Sequence, residues 1–392
     1  MSKTPVLSIL IFSAFCGSSL WFSGNAILKD LLIAMPDADF DVSDITSAVQ
    51  LGFIIGTLFF SAFNIADRFP AGRVFLLSSL LGSFFNCLIV IAPLDTSTLI
   101  ISRCLTGFFL AGIYPIAVKI AALWCKKDLG SALGHILAAL VIGTAFPHLL
   151  NGLDFALNWQ TVVISSSVLA LIGGLLVGFV IPEKSSAQRT PHHEGRGLLN
   201  IFKLKDFKAS SSGYFGHMWE LYTFWAFIPI ILSAYNSQTG ADLNVALWSF
   251  AIIASGSIGC SAGGILSLKR GSAPVAFYQL ATSCICCLIF PLMLSTPTEL
   301  FLLYLCIWGI TVAGDSPQFS TLNARTAPPE IVGSAVTLVI CIGFSLTIVS
   351  LHVFEFLMTS FSLAIAVSLM TVGPLYGIYA LHPLKVKNPL FK

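Results

Sequence analysis

Two apolar runs, residues 45–65 and 74–92, are joined by a charged stretch of only a few residues that carries Asp67, Arg68 and Arg73. Each run is as long as a helix that crosses a bilayer, which takes about 20 mainly apolar residues. The join is too short to be anything but a tight turn, so both helices end on one side of a membrane. Similar runs continue along the chain, and hydropathy with loop breaks predicts twelve spans. They cover residues 5–28, 44–66, 73–93, 97–123, 129–152 and 159–182, then 211–236, 243–268, 273–294, 297–320, 331–355 and 359–381. With 56% hydrophobic and 10% charged residues, against roughly 25% charged in soluble domains, the chain reads as an all-α integral membrane protein.

The basic residues are dispersed over short loops and form no aromatic-interleaved face, which excludes a nucleic-acid partner. Their sidedness is informative instead. One face collects Lys3, Arg68, Arg73, Lys126, Lys127, Lys184, Arg189, Arg196, Lys203, Lys205, Lys208, Lys269, Arg270, Arg325, Lys385, Lys387 and Lys392. The other has Lys29 among the acidic residues Asp30, Asp37, Asp39, Asp41, Asp44, Asp95, Asp154, Asp242 and Glu299. Cytoplasmic loops are the basic ones, so both termini and the middle linker are expected in the cytoplasm. The expected organisation is a six-helix bundle over residues 1–182, a cytoplasmic linker over 183–210 and a second bundle over 211–392. The N-terminus runs into an apolar segment without a small-residue cleavage site, so a retained first helix is expected.

The ten cysteines lie almost all in apolar runs, as small hydrophobes. The Cys-x-x-Cys spacing of Cys284 and Cys287 has apolar surroundings and no nearby His, so packing is favoured over a redox or metal role. Pro191-His192-His193-Glu194 in the linker is a weak chelator, and a solvated connector is the better reading. No metal and no cofactor are expected.

Ionisable residues inside a membrane helix cost about 2.5–3.5 kcal/mol each on insertion scales, so each one is a functional candidate. Helix 10 has the clearest stripe: Tyr304, Trp308, Thr311, Asp315 and Gln318 recur at spacings of four and three, the period of one helical face. Such a face is expected to meet water or solute. Helix 1 has a shorter version in Ser18, Trp21 and Asn25, and helix 7 aligns His217, Glu220, Phe224 and Phe227. Helix 4 places Arg103 on a stripe with Gly107 and Tyr114, whereas Lys119 falls on another face and is expected to snorkel or to meet the turn after helix 2. His148 on helix 5 is expected at a depth similar to Arg103. Glu220 and Asp315 are expected about 8–14 Å inside the membrane boundary at 1.5 Å per residue, where a carboxyl group can take up and release a proton. A fixed ion pair or hydrogen bond is the alternative role for each.

Ala66-Asp67-Arg68, with Arg73 after it, resembles the loop between helices 2 and 3 of the major facilitator superfamily of secondary transporters. Phe63, Ile65 and Pro70 depart from that motif. Arg103, Gly107 and Ala111 match the family's helix 4 pattern, whereas Gly143 to Pro147 meets the antiporter pattern of helix 5 poorly. The resemblance implies two six-helix bundles related by a pseudo-two-fold axis, with Asp67, Arg68 and Arg73 acting in conformational switching. Residues 216–222 and 315–320 resemble bacterial members described as nitrate/nitrite or cyanate transporter-like. The arginines and the Gly- and Asn-containing motifs typical of nitrate carriers are missing, so nitrate is not the expected solute.

The expected function is alternating-access transport of a small organic anion or zwitterion across a bacterial inner membrane by proton symport, by a protein functional as a monomer. Glu220 and Asp315 are the expected proton-coupling residues. Trp21, Asn25, Arg103, Tyr114, His148, Trp308, Thr311 and Gln318 are the expected solute contacts. Proton-coupled efflux of a metabolite or drug is the alternative; a transporter-like receptor or regulator is a more remote one. No residues are expected to be catalytic, because the chain lacks paired His or Asp-rich motifs of the kind found in membrane-embedded enzymes.

Overall fold

The computed structural model of the chain describes residues 3–125, 129–153, 158–183 and 198–386, and these are helical, with no strand among them. Lys126, Lys127, Asp154, Lys184, Arg189, Arg196, Lys387 and Lys392 lie outside the described residues, as does the linker stretch from Pro191 to Glu194.

Ten helices among the described residues are long and apolar enough to cross a membrane. They are helix 2 (Val42–Ala62), helix 3 (Ala71–Ile91), helix 4 (Thr96–Trp124), helix 5 (Leu129–Gly152), helix 6 (Trp159–Val180), helix 8 (Val245–Arg270), helix 9 (Ser272–Met293), helix 10 (Thr298–Thr326), helix 11 (Pro329–Ser360) and helix 12 (Leu363–Val386). Two more complete the twelve. Helix 1 is interrupted, running as Lys3–Ser18, Ser23–Ala26 and Leu28–Ala34. Helix 7, Lys205–Thr239, is long but polar, because Asp206, His217 and Glu220 lie within it. Large side chains such as Phe179, Leu268, Leu292 and Tyr379 are exposed on the outside, where a bilayer would cover them.

Local chemistry sets the helix ends. Asp41 accepts from the backbone N–H of Ser43 and Asp44, and Asp44 accepts in return from that of Asp41, a reciprocal cap on helix 2. Asp95 caps helix 4 and Asn158 caps helix 6 in the simpler way. Asn64 stands in the left-handed region, φ 50°, and ends helix 2 before the short helix Ile65–Arg68. Between helices 8 and 9 Gly271 alone makes the turn, at φ 81°, a conformation that glycine adopts without a Cβ clash.

Helices 4 and 10 share a pattern that spans both halves of the chain: Gly107, Ala111, Gly112 and Pro115 recur at identical spacing as Gly309, Ala313, Gly314 and Pro317. In both helices the proline lies in the first turn of a second segment, Tyr114–Trp124 in one and Ser316–Thr326 in the other. Proline has no N–H to bond the carbonyl four residues back, so each helix breaks ahead of it. The carbonyl of Ala313 accepts instead from Cys260 Sγ at 3.2 Å. Glycines permit close approach in both places. A Cβ at Gly52 on helix 2 would lie 1.8 Å from the carbonyl oxygen of Cys104 on helix 4, and one at Gly259 on helix 8 would lie 1.8 Å from that of Ile310 on helix 10.

The chain forms two compact units. One contains Met1–Ala132, Ala139–Ser185 and Ala226–Ala254; the other contains Leu133–Ala138, Ser186–Trp225 and Ser255–Lys392. In the first unit an apolar cluster of Ile27, Leu31, Met35, Phe40, Ile45, Ile89, Leu99, Val162 and Val163 fastens the end of helix 1 onto helices 2, 3, 4 and 6.

Candidate functional site

In the first unit the break in helix 1 is built around Arg103. The chain turns through residues 19–22, where the carbonyls of Leu20 and Trp21 accept no backbone N–H from four residues on. Arg103 fills that need: Nη2 donates to the carbonyl oxygens of Leu20 at 2.7 Å and Trp21 at 3.2 Å. Its Nη1 donates to Ser23 Oγ at 2.9 Å and to Asn86 Oδ1 at 2.5 Å. Ser23 Oγ also donates to Asn86 Oδ1, and Asn86 Nδ2 donates to Ser167 Oγ at 2.9 Å. One polar network thus joins helices 1, 3, 4 and 6. Arg103 is fully buried, and no carboxylate among the described residues lies in ion-pair range of it.

The other expected residues of this unit lie on the same few helices. Trp21 is in the turn itself, with its ring edge-on to Phe53 at 5.2 Å between centroids. Asn25, in the next short segment, donates from Nδ2 to Thr46 Oγ1 at 2.7 Å. His148 is buried, with its ring 6.4 Å from that of Phe22, at the end of the helix 1 break. Tyr114 is half-buried at the start of the second segment of helix 4.

Two expected stripes do not survive as continuous faces. Ser18 ends the first piece of helix 1, Trp21 lies in the turn and Asn25 in the second piece, and the break at residues 111–113 of helix 4 separates Tyr114 from Arg103 and Gly107. In each case a turn resets the rotation that the 3.6-residue period assumes.

In the second unit Glu220 is buried among neutral donors. Ser283 Oγ donates to Oε2 at 2.9 Å, and Trp308 Nε1 and Cys287 Sγ donate to Oε1 at 2.7 and 3.3 Å. Phe224 packs over Trp308 at 4.4 Å, and Tyr304 donates to the carbonyl of Cys286 at 2.7 Å. Asp315 is the joint between the two segments of helix 10. Its Oδ1 lies 2.8 Å from His217 Nδ1, and His217 Nε2 lies 3.0 Å from Ser316 Oγ. The helix 10 stripe therefore turns inward: Tyr304, Trp308, Asp315 and Gln318 are buried, and three of them bond helices 7 and 9 of their own unit. Thr311 leaves the stripe. It is half-buried and donates to the carbonyls of Ile307 and Trp308.

The ends of helices 7 and 10 lie farther from the two carboxylates than the sequence places them. Helix 7 begins at Lys205, six residues before the expected start, which puts Glu220 roughly 22 Å along it. Helix 10 continues to Thr326, which puts Asp315 roughly 16 Å from that end.

At the turn after helix 2, Lys119 reaches back from helix 4 to Asp67 Oδ1 at 2.6 Å and to the carbonyl of Ala66. Arg68 and Arg73 are exposed. No group of three His, Cys, Asp or Glu among the described residues is placed to hold a metal.

Asn86, Ser23 and Ser167 around Arg103, and Ser283 around Glu220, carry no distinguishing signal in the sequence, whereas Cys287 stands out there by its Cys-x-x-Cys spacing, and beyond packing it donates to Glu220. Of the first four, Asn86 comes nearest to a signal, as a lone amide in the apolar run of helix 3.

Comparison with curated proteins finds no match. The model of the family described as Major Facilitator Superfamily matches residues 6–350. That range covers the turn at Asp67, the Arg103 network and the Glu220 and Asp315 sites. With ten helices among the described residues long and apolar enough to cross a membrane, repeated breaks in helices 4 and 10 and a family match over most of its length, the chain belongs to the Major Facilitator Superfamily and is a membrane transporter.

Proposed function

We propose that the protein carries a small organic anion or zwitterion across a bacterial inner membrane by proton symport, alternating between states open to either side. The observation that carries this is a pair of buried charges, each without an opposite partner among the described residues: Arg103 in one unit and Glu220 in the other. A cation that an apolar interior leaves uncompensated favours an anion as ligand. A carboxyl group held by a hydroxyl, a thiol and an indole N–H can take a proton without breaking an ion pair. Loading one anion and one proton then offsets both charges, and the loaded carrier changes state at less electrostatic cost.

Within this scheme Trp21, Asn25, Arg103, Tyr114 and His148 contact solute from the first six helices, and Trp308, Thr311 and Gln318 from the second six. Arg103 acts through its charge, because its terminal nitrogens are occupied by oxygens of its own unit. Asp315 exchanges its proton with His217 and couples together with Glu220. Asp67, Arg68 and Arg73 act in switching. The functional division is 1–182 and 211–392, joined by 183–210, with both termini cytoplasmic and the monomer as the working unit.

The test is external pH in lightly buffered proteoliposomes as small carboxylates, amino acids and oxyanions are added in turn, repeated with Glu220→Gln and Asp315→Asn. Symport gives a solute-dependent alkalinisation that either substitution abolishes. Acidification on adding solute would assign proton antiport, hence efflux. Unaltered solute flux with no pH change in any sample would remove proton coupling.

A further inference from the structure

We infer that Gln50 on helix 2 and Asn25 on helix 1 form an amide pair that recognises an O–H or N–H donor on the solute and so sets which anion is carried. This rests on the proposal that the first six helices contact the solute, and it adds a residue and a chemistry to it.

Thr46, Gln50 and Phe53 follow spacings of four and three, so they share one face of helix 2. Two contacts fix where that face points. Asn25 Nδ2 donates to Thr46 Oγ1, and the Trp21 ring lies edge-on to Phe53. Helix 1 therefore runs along this face from residue 21 to residue 25, and Gln50 stands between the two contacts, opposite the helix break.

Gln50 is 1% exposed, and neither Oε1 nor Nε2 has a partner among the described residues; Asn25 Oδ1, in a residue 6% exposed, is likewise unmet. Three unmet polar atoms on facing helices are unusual, since folded proteins pair nearly all buried amides and leaving one unpaired is costly.

The polarity of the pair follows from the bonds around it. Thr46 commits its hydroxyl hydrogen to the carbonyl of Val42 at 2.5 Å. It can only accept from Asn25, which fixes the Asn25 amide with its NH2 on Thr46 and its oxygen turned away. Asn25 and Gln50 together offer two acceptor oxygens and one free NH2 group. The acceptors need a solute with O–H or N–H groups, and an unsubstituted carboxylate leaves them empty.

Arg103 supplies charge beside the pair. Its Nε is buried without a partner, and a Cβ added to Gly24 would lie 3.2 Å from that nitrogen and 2.9 Å from Ile45 Cγ2. The backbone at Gly24 and Asn25 is thus pressed between Arg103 and the start of helix 2. A hydroxy- or amino-carboxylate matches both parts: its acid toward the positive charge, its donor toward the amides.

The experiment is competitive uptake into proteoliposomes of malate against succinate and of aspartate against succinate, for the wild type and for Gln50→Met, which keeps size but not hydrogen bonding. The wild type is expected to favour malate or aspartate by about 10- to 100-fold, and Gln50→Met to bring that ratio near one. A ratio taken within one sample does not depend on how much of the variant folds. The malate and aspartate arms separate a hydroxyl from an amine as the donor. A wild type that does not discriminate, or a Gln50→Met protein that keeps the wild-type ratio, would overturn the pair. A third arm compares neutral polyols with their deoxy analogues. Carriage of polyols alone, with the same loss of ratio in Gln50→Met, would sink the anion proposal and leave the amide pair standing.

Discussion

Arg103 and Glu220 are opposite charges buried in opposite ways. The guanidinium is held half by side chains, Ser23 and Asn86, and half by backbone, through two carbonyls that exist as open acceptors because helix 1 is broken at residues 19–22. The carboxylate is held by side chains alone, from helices 9 and 10, while helix 7 runs unbroken past it. The difference follows from what a helix can give. Interrupting one releases carbonyl acceptors, which suit a cation, but inside an intact helix every N–H is already used, so an anion must find hydroxyl, thiol or indole donors. Helices 4 and 10 vary the theme. Both break ahead of a proline in a shared Gly-Ala-Gly-Pro pattern, yet the residues between glycine and proline are Ile113 and Tyr114 in one and Asp315 and Ser316 in the other. One backbone device thus presents an apolar joint in the first half and a carboxylate paired with His217 in the second.

Matched substitutions test how far the two halves are alike. The largest effect belongs to the feature they share: Gly52→Val and Gly259→Val each force side-chain atoms into a carbonyl 1.8 Å away, and each is expected to cost more than about 3 kcal/mol, seen as loss of folded protein in size-exclusion chromatography. Arg103→Met should come next, at about 3 kcal/mol or more in thermal unfolding, because it removes the guanidinium donor from the Leu20 and Trp21 carbonyls and from Asn86 Oδ1 at once. Glu220→Gln should change stability by less than about 1 kcal/mol, since it removes no ion pair and keeps a carbonyl for Trp308. Equal destabilisation by these two would break the contrast between a cation held in part by backbone and an anion held by side chains alone. Asn86→Asp sharpens it by giving Arg103 the counter-charge it lacks. Binding of an anionic solute should weaken by about tenfold, or 1.4 kcal/mol, in a titration of the purified protein. The smallest effect is expected at the turn after helix 2. Lys119→Ala breaks the bond to Asp67, but Asp67 is 51% exposed, so the stability change should stay within about 1 kcal/mol.

Much of the architecture was legible because a bilayer imposes a simple demand, about 20 apolar residues per crossing. The turn at Asp67 and Arg68, ten of the helices and the inward placing of Glu220, Asp315 and Trp308 follow from it. The break in helix 1 was not legible. Ser19, Leu20, Trp21 and Phe22 include neither glycine nor proline, and the turn they make depends on a guanidinium more than 80 residues away in the chain. Gln50 was missed because a single amide in an apolar helix resembles ordinary packing until its neighbours are known. The pattern shared by helices 4 and 10 was open to inspection, but its meaning as a pair of breaks needed the helix ends.

Chain composition and the period of its apolar residues determined that this protein crosses a membrane many times, and which ionisable side chains are taken into its helices. Those properties depend on residues close together in sequence and on a solvent that treats every span alike. Tertiary structure decided which buried charge meets which partner. Arg103 meets carbonyls and Asn86, Asp315 meets His217, and Glu220 meets Ser283, Cys287 and Trp308. Hydrogen bonds act over about 3 Å, and only the packing of helices distant in sequence brings those atoms within that reach.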